Sequence, residues 1–541
     1  MAFRKNENQQ LSIYDQLYGL SERKLKVLQG SWAEEFANYI FPNLVEEPFS
    51  VLYKDNDASK PNTPVNIILG LLILKEEFKL TDEEVMQQLI FNFQFQYALH
   101  TSSFTEQPIN DNTLRRFRNR VNAYEEQTGI DLIKGAFRTL ADRLANIMNM
   151  NLSLNRIDSA MVASSCRRLS RLNIFNETLK VTAKQLDKDG EGSPLTEKYT
   201  DDNATGDVGY RLKSEDIPSK MEEMLHDAVS LLELYPEELR KSDSYTALSR
   251  LVADQSKIVD GERVLKTGKE ISPDSMQTPH EPDATYRKKA GKSNVGFVAN
   301  VVEACDGENN LITNYDLQKN TYSDAQFLKD VLDEMPDSGG EVDTIIVDGA
   351  YASTDTLDIA EAKNIEIVTS SLIGGMQGDF EAQFEIDNDG KITKCPAGHS
   401  PIDSNRGEKG YQAHFSDEIC SNCPHCDRCP GVFQKKTALI KFSDTALEKA
   451  KYAQHLGTEK YRTLSNKRNG IEGVNSVLRR KFNIDKMQDK GLVRKRQRLG
   501  IKMMAVNFGR LRNWKRALES SFNDTLQNVQ HGYGSLAAII V

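Results

Sequence analysis

Three acidic residues, far apart along the chain, lie in segments typical of a divalent-metal site. Asp158 follows a half-apolar extended segment, Asp348 ends an apolar run, and Glu472 lies in a basic segment with helical spacing. Carboxylates that cluster raise one another's pKa unless a cation compensates them, so a convergent acidic triad is itself a metal-site hypothesis. If the fold brings them together, the three acids predict two Mg²⁺ or Mn²⁺ ions that assist phosphoryl transfer on DNA.

Asp348 has the strongest strand context of the three. Residues 344–347 form a continuous apolar run, which is typical of a central strand buried on both faces. An acid at the C-terminal end of such a strand lies where open α/β sheets bind ligands. The alternative is an Asp that caps a turn after the strand.

The segment around Glu472 has two stripes at helical spacing. The first is apolar and predicts a buried face: Ile471, Val474, Leu478 and Phe482. The second is polar: Arg468, Glu472, Asn475 and Arg479. One carboxylate between two guanidinium groups suits a residue that holds a metal beside DNA phosphates, although an exposed helix with local ion pairs gives the same pattern.

Positive charge is segregated in an otherwise acidic chain. The net charge is -10, yet residues 461–516 contain 17 Lys and Arg against 3 Asp and Glu. Phosphate binding needs such local basic charge, so this segment predicts a DNA footprint. The residues that we expect to contact phosphates are Arg468, Arg479, Arg480, Lys481, Arg494, Lys495 and Arg496.

The first 125 residues are predicted to form an all-helical DNA-binding domain. Thr81 begins one helix with a capping-box pattern, and a basic helix begins at Asp111 or Asn112. Short successive helices, the last one basic, favour a helix-turn-helix-like unit. Its predicted DNA-binding residues are Asn112, Arg115, Arg116 and Arg118. A basic, solvated helix is the alternative.

Five of the seven cysteines lie between residues 395 and 429. Closely spaced cysteines among Pro and Gly turns suit a structural Zn²⁺ site better than a disulfide framework. The preferred ligands are Cys395, Cys420, Cys423 and Cys429, with Cys426 as an alternative. Two zinc ions, or free thiols without metal, remain open.

The order of the predicted elements divides the chain into seven parts. A connecting helix and first strand (126–163) follow the N-terminal helices, and an acidic helical insertion (164–285) comes next. Strands and helices resume (286–375), then come the cysteine-rich segment (376–460), basic helices (461–520) and a tail (521–541). The longest apolar run, 65–74, is too short to span a bilayer, so we expect a cytoplasmic protein without membrane contact.

The order and spacing of several short motifs resemble bacterial insertion-sequence transposases of the DDE type, in particular the eleven-eighty-two group. The resemblance extends from about residue 30 to 515 and rests on motifs that are each weak alone. They lie at residues 112–117, 157–162, 283–289, 296–297, 347–351 and 470–473, and in the cysteine block.

This resemblance implies a fold, an activity and partners. It implies an α/β protein with a ribonuclease-H-like core, a mixed sheet flanked by helices, interrupted by the helical and the cysteine-rich insertions. Asp158 and Asp348 would bind both metal ions and Glu472 one. The enzyme would bind terminal inverted repeats, free a 3′-hydroxyl with metal-activated water and join it to target double-stranded DNA. A homodimer in a paired-end complex, associated with the bacterial nucleoid, is also implied.

The match to the family's Tyr, Arg, Glu, Lys signature is partial. Arg468 and Glu472 match, whereas Ser465 occupies the tyrosine position and Arg479 the lysine position. Arg479 therefore keeps a positive charge at the lysine position, whereas Ser465 cannot supply the tyrosine side chain. Two other functions remain open: a nuclease or resolvase with the same core but no strand transfer, and a catalytically silent DNA-binding regulator.

Overall fold

The protein is described by a computed structural model. It covers residues 1–7, 15–54, 61–104, 106–110, 112–200, 212–289, 291–336, 340–369, 378–408, 410–456 and 458–537, without the side chains of 456, 465, 469 and 521–537. Within these ranges, no helix is both long and apolar enough to cross a bilayer.

The α-helices of the described residues, in chain order, are α1 (Glu22–Gln29), α2 (Trp32–Glu35), α3 (Val65–Phe78), α4 (Asp82–Phe91), α5 (Phe93–Ala98), α6 (Thr113–Thr128), α7 (Leu132–Ile147), α8 (Arg171–Lys188), α9 (Pro194–Thr200), α10 (Ile217–Leu234), α11 (Asp243–Gln255), α12 (Asp324–Glu334), α13 (Thr354–Ala362), α14 (Asp417–Ser421), α15 (Asp444–Leu456), α16 (Glu459–Arg480) and α17 (Leu492–Ala537).

The strands are β1 (Leu154–Ala163), β2 (Ser256–Val259), β3 (Glu262–Leu265), β4 (Thr285–Lys289), β5 (Lys292–Asp306), β6 (Asn309–Lys319), β7 (Thr344–Val347), β8 (Glu366–Thr369), β9 (Glu385–Ile386), β10 (Ile392–Lys394), β11 (Asp403–Gly407), β12 (Gly410–Ser416), β13 (Val432–Phe433) and β14 (Thr437–Ser443).

A mixed sheet forms the centre of the molecule. Its order is β4-β5-β1-β7-β8, and β6 also pairs with β5. β1 is antiparallel to β5 and parallel to β7, which is parallel to β8. Gly296 of β5 has φ +146°, and a Cβ there would lie 2.2 Å from the carbonyl oxygen of Val162. Only glycine therefore fits where β5 passes between β1 and β4.

The two faces of this sheet belong to different hydrophobic cores. Ala160 and Val162 of β1 face a large core that includes residues of α3, α6, α7, α16 and α17. Ile157 and Ile345 face a smaller core with α12 and α13. The alternation along β1 follows the two-residue period of a strand.

The N-terminal helices therefore share a core with the sheet instead of packing as a separate unit. α3 is buried around almost its whole circumference, because its sequence is apolar on every side. The capping box predicted at Thr81 is confirmed: its hydroxyl accepts a hydrogen bond from the Glu84 amide. The basic helix α6 begins at Thr113, with Asn112 at its N-cap. Asp111, the other predicted start, lies outside the described residues.

Two further segments fold round cores of their own. The first is formed by α8, α10 and α11, which pack together. In the chain these helices lie between β1 and β4, where the helical insertion was predicted. The cysteine-containing segment forms an antiparallel sheet in the order β11-β12-β14-β13. At the C-terminus, α17 continues to Ala537, so most of the predicted tail (521–541) is helical.

Candidate active site

The register of β1 and β7 brings two of the predicted acids side by side. Leu154 pairs with Thr344 and Arg156 with Ile346 in a parallel arrangement. Continuing this register by one pleat places Asp158 next to Asp348, and neighbouring strands lie about 4.8 Å apart. Asp348 directly follows the C-terminal end of β7. The sequence predicted this convergence of Asp158 and Asp348.

Helix α16 lies over the face of β1 from which Asp158 projects. Arg156, two residues earlier, donates a hydrogen bond of 2.8 Å to the carbonyl oxygen of Lys467. A Cβ at Gly470 would lie 2.1 Å from Arg156 Nη1, so this glycine admits the guanidinium group. By contrast, a Cβ at Gly473 of the same helix would have nothing within 4 Å.

Two side chains of α16 reach the acid pair. Asn475 Nδ2 donates a hydrogen bond of 2.6 Å to Asp158 Oδ2. Arg468 Nη1 lies 3.9 Å from Asp348 Oδ1. The backbone amide of Ser159 donates to Asp158 Oδ1, and that of Gly349 donates to Asp348 Oδ1. The helix thus holds one neutral donor and one cation against the two acids.

Burial raises the pKa of the Asp158 carboxyl above its usual range, and the charge of Asp348 adds to the rise. The backbone amide of Ser159 and the cations Lys289 and Arg468 oppose the rise. Asp348 itself is about half exposed, at 48%. Burial and the neighbouring carboxylate both disfavour the charged form of Asp158, and an added cation would favour it.

A buried tyrosine fixes the turn that follows Asp348. Tyr351 donates its hydroxyl hydrogen to Asn300 Oδ1 at 2.8 Å, and its amide donates to the Asp348 carbonyl at 3.0 Å. Asn300 lies on β5, opposite Ser159 of β1. The turn carrying Asp348 is therefore tied to the strand next to Asp158, and burial raises the pKa of the Tyr351 hydroxyl well above its usual range.

Glu472 lies on α16, one helical turn before Asn475, and its side chain is exposed. Across the described parts of the chain, no three His, Cys, Asp or Glu side chains are already arranged as a metal-ligating set. The structure therefore brings the helix of Glu472 to the acid pair, but Asn475 is the residue that contacts Asp158.

Several predicted phosphate contacts have other partners in the fold. Lys495 is fully buried, hydrogen-bonds to Ser165 and lies 3.5 Å from Glu281, so its predicted contact with DNA is wrong. Arg496 forms an ion pair with Glu125 at 2.9 Å, and its side chain is also largely buried. These two residues lie on the inner side of α17. In the sequence, a basic segment that faces the interior cannot be distinguished from one that faces the surface.

The other predicted phosphate contacts lie at the surface. Lys481 is half-buried and paired with Glu77 at 2.6 Å. Arg479, Arg480 and Arg494 are exposed. Of the seven predicted phosphate contacts, these three arginines and Arg468 at the acid pair remain proposals for DNA contact.

The N-terminal basic residues divide in the same way. Arg118 is paired with Asp82 through two hydrogen bonds, so its charge is already compensated. Arg115 and Arg116 are exposed, and Asn112 accepts a hydrogen bond of 3.0 Å from Arg115. A cavity of about 420 Å³ is lined by Arg115 of α6 and Arg494 of α17. Arg115 and Arg494, one from each predicted basic segment, therefore line the same cavity.

The five clustered cysteines line one small cavity of about 30 Å³, together with His399 and His425. All are half-buried and free of disulfides. The Cys426 amide donates to the Cys423 carbonyl at 3.0 Å, and the His425 amide donates to Cys423 Sγ at 3.4 Å. Burial raises the pKa of the Cys420 thiol to about 11, and the neighbouring thiols add to this.

Comparison with known families decides the identity. Two models, each described as a transposase DDE domain, match residues 267–415 and 394–512, and a third, described as a transposase domain, matches 27–120. The chain is an insertion-sequence DDE transposase. No curated protein and no solved structure gives a significant match. The transposase is thus an enzyme that acts on DNA, and its assignment to the eleven-eighty-two group stays a prediction.

The matched ranges contain the candidate-site residues that follow the helical insertion, whereas Asp158 lies outside all three. Asp348 and Lys289 lie in the first DDE match, and Glu472 and Asn475 lie in the second. DDE domains generally use divalent metal ions. Neither a resolvase nor a silent regulator is favoured for this transposase.

Two residues near the acid pair were given no role by sequence reasoning. Lys289 was noted only as part of a family motif, and Asn475 only as a member of the polar stripe. For Asn475 the signal was present, since it shares the helix face of Arg468 and Glu472. For Lys289 no local pattern could show that β4 ends near Asp158.

Proposed function

We propose that Asp158 and Asp348 are the central carboxylates of a catalytic metal site in a ribonuclease-H-like core. The parallel register that places Asp158 beside Asp348 carries this proposal. The sheet supports it: the antiparallel strands β1, β5 and β6 are followed by the parallel strands β7 and β8, with helices on both faces. Asp348 directly follows the carboxyl end of β7, where such sheets bind ligands, and Asp158 lies in the middle of the neighbouring strand β1.

The donor set fits Mg²⁺ or Mn²⁺. Both ions prefer carboxylate oxygens. The pKa of Asp158 is raised because its charged form is disfavoured, and a bound cation would stabilise that form. Asp158 and Asp348 would hold two ions, and Glu472 would add a third carboxylate from α16. When bound, the ions activate the attacking oxygen and stabilise the leaving one.

The chain's own residues position the acids and the DNA. Ser159 and Gly349 amides orient the carboxylates, and Arg468 places positive charge where a phosphate must approach Asp348. The exposed cations Arg479, Arg480 and Arg494, with Arg115 and Arg116, would contact the DNA backbone. Asn112 would contact DNA beside Arg115.

The proposed reaction has two steps at the same site. Water attacks the phosphorus at the element's terminal inverted repeat, the bond from phosphorus to the 3′-oxygen breaks, and a 3′-hydroxyl is released. That hydroxyl then attacks a phosphodiester of target DNA, forms a new bond and displaces the target's own 3′-oxygen. We further propose that two copies act together, one at each end of the element, in a homodimeric paired-end complex.

Strand joining separates a transposase from a nuclease. The purified protein is incubated in Mg²⁺ with DNA that carries the element's two ends and with a supercoiled target plasmid. We expect covalently joined products whose junctions carry the element's 3′ ends, and none in EDTA. Cut ends without any joined product would contradict the strand-transfer proposal and favour a nuclease.

We also propose that the cysteine-rich insertion binds a structural Zn²⁺ through Cys395, Cys420, Cys423 and Cys429, with Cys426 as the alternative fourth ligand. Support comes from the shared cavity and from the amide of His425 that donates to Cys423 Sγ. Zinc binding would deprotonate the ligating thiols, including those of Cys420 and Cys429, whose pKa burial raises.

Zinc content and stability test this site. Cys420→Ser is expected to reduce bound zinc by elemental analysis from about one ion per chain to near zero, and to make residues 376–460 sensitive to protease. Cys166→Ser, a cysteine outside the cluster, is the matched control and should keep the zinc. A wild-type protein purified without chelator that contains no zinc would contradict the proposal.

A further inference from the structure

Asn475 is the residue of α16 in direct contact with a proposed metal ligand. Its Nδ2 donates to Asp158 Oδ2 at 2.6 Å, and the Ser159 amide donates to Asp158 Oδ1 at 2.8 Å. Both oxygens of the carboxylate are therefore held by neutral donors. These two hydrogen bonds fix the side-chain rotamer of Asp158. Without them, the half-buried carboxylate could rotate.

The contact also sets the position of the helix. Arg156 of β1 donates a hydrogen bond to the carbonyl oxygen of Lys467 in α16. Two helical turns later, Asn475 donates a hydrogen bond to Asp158 of β1. These two bonds fix α16 along and around its own axis relative to β1. Since Arg468 lies between them on the helix, its distance from Asp348 is set by the same two anchors.

Resting on the metal site proposed above, we propose that Asn475 is a positioning residue: its side-chain amide orients the Asp158 carboxylate for metal binding and fixes α16 over the acid pair. A hydrogen bond from a neutral amide to a carboxylate stabilises the ionised form that a cation needs. Residues that orient metal ligands in this way typically change metal affinity by about 10–100-fold when removed.

Metal titration of two variants tests the role without relying on activity. Asn475→Leu keeps the branching at Cγ but removes the donor, whereas Asn475→Gln keeps a neutral NH₂ donor. Mn²⁺ binding to the DNA-free protein is followed by the electron paramagnetic resonance signal of the free ion. We expect Asn475→Leu to weaken Mn²⁺ binding by about 10–100-fold and Asn475→Gln by less than about threefold.

Two further measurements identify the effect as positional. The Mg²⁺ concentration for half-maximal DNA cleavage should rise in Asn475→Leu by a similar factor, with the rate at saturating Mg²⁺ changed less. The melting temperature and metal-free DNA binding should match those of Ser476→Ala, a neighbouring helix residue for which no hydrogen bond of the side chain is observed.

Each outcome decides a different question. Wild-type Mn²⁺ affinity in Asn475→Leu, or equal losses in the Leu and Gln variants, would overturn the positioning role. A wild-type protein that binds no Mn²⁺ would instead refute the proposed metal site itself.

Discussion

Asp348→Ala is expected to lower Mg²⁺-dependent cleavage by about 10³-fold or more, because a catalytic metal supplies several kcal/mol and each 1.36 kcal/mol is a factor of ten. Asp348 is half exposed at the end of β7, and the hydrogen bond that its carboxylate accepts comes from the amide of the next residue, Gly349, so its removal changes few contacts of the fold. The fold and the binding of the element's end should therefore persist. Cleavage of a labelled end and a mobility shift of the same DNA measure the two properties.

Asp343→Ala is the matched control for this variant. Asp343 is an exposed acid just before the opposite end of the same strand. It should cleave at the wild-type rate. Cleavage by Asp348→Ala at the wild-type rate would contradict the assignment of Asp348, and loss of DNA binding in that variant would show that the substitution acts on the fold.

Lys495→Met is expected to destabilise the protein by about 3–5 kcal/mol, because it leaves a buried carboxylate without its cation. Glu281 and Lys495 are both fully buried, at 0% exposure. Glu281 also accepts hydrogen bonds from the amides of Ser165 and Gly491, so it joins both ends of the helical insertion to the start of α17. Urea unfolding of the variant and the wild type gives the difference in free energy.

The double variant Lys495→Met/Glu281→Gln separates a missing partner from lost packing. Removing both charges should recover part of the stability lost in the single variant, because no uncompensated charge remains. Lys490→Met, an exposed lysine nearby, should change the free energy of unfolding by less than about 0.5 kcal/mol. A Lys495→Met protein that is as stable as the wild type but binds DNA more weakly would restore Lys495 as a phosphate contact.

Elements with strong local patterns were predictable from sequence. The apolar run at 344–347 predicted β7, and the capping box predicted the start of α4. The place of Asp348 at a strand end followed from the same local reasoning. These features depend on residues within one or two turns of each other, which is the range over which periodicity is informative.

Partners of charged residues were not predictable, because they come from distant parts of the chain. Arg496 pairs with Glu125 across 371 residues, and Arg118 pairs with Asp82 on a different helix. A basic helix on the surface and one with an ion-paired inner face have the same composition. For this reason the sequence could not show that Lys495, which was assigned to DNA, lies in the interior.

The position of α16 over the sheet was the other feature beyond sequence reasoning. The polar stripe contained both Glu472 and Asn475, but periodicity does not define which turn of the helix lies against Asp158. That is set by the bond from Arg156 to Lys467 and by the space that Gly470 leaves for it.

The most direct test of the central claim is metal rescue of Asp348→Cys. Thiolate is a poor ligand for Mg²⁺ and a better one for softer ions, so a metal-ligating carboxylate replaced by Cys should change the metal that supports the reaction. If Asp348 ligates the catalytic metal, Asp348→Cys cleaves the element's end in Mn²⁺ but not in Mg²⁺, whereas Asp348→Ala cleaves in neither. Equal activity of Asp348→Cys in both metals, or none in either while Asp348→Ala retains activity, would contradict the account.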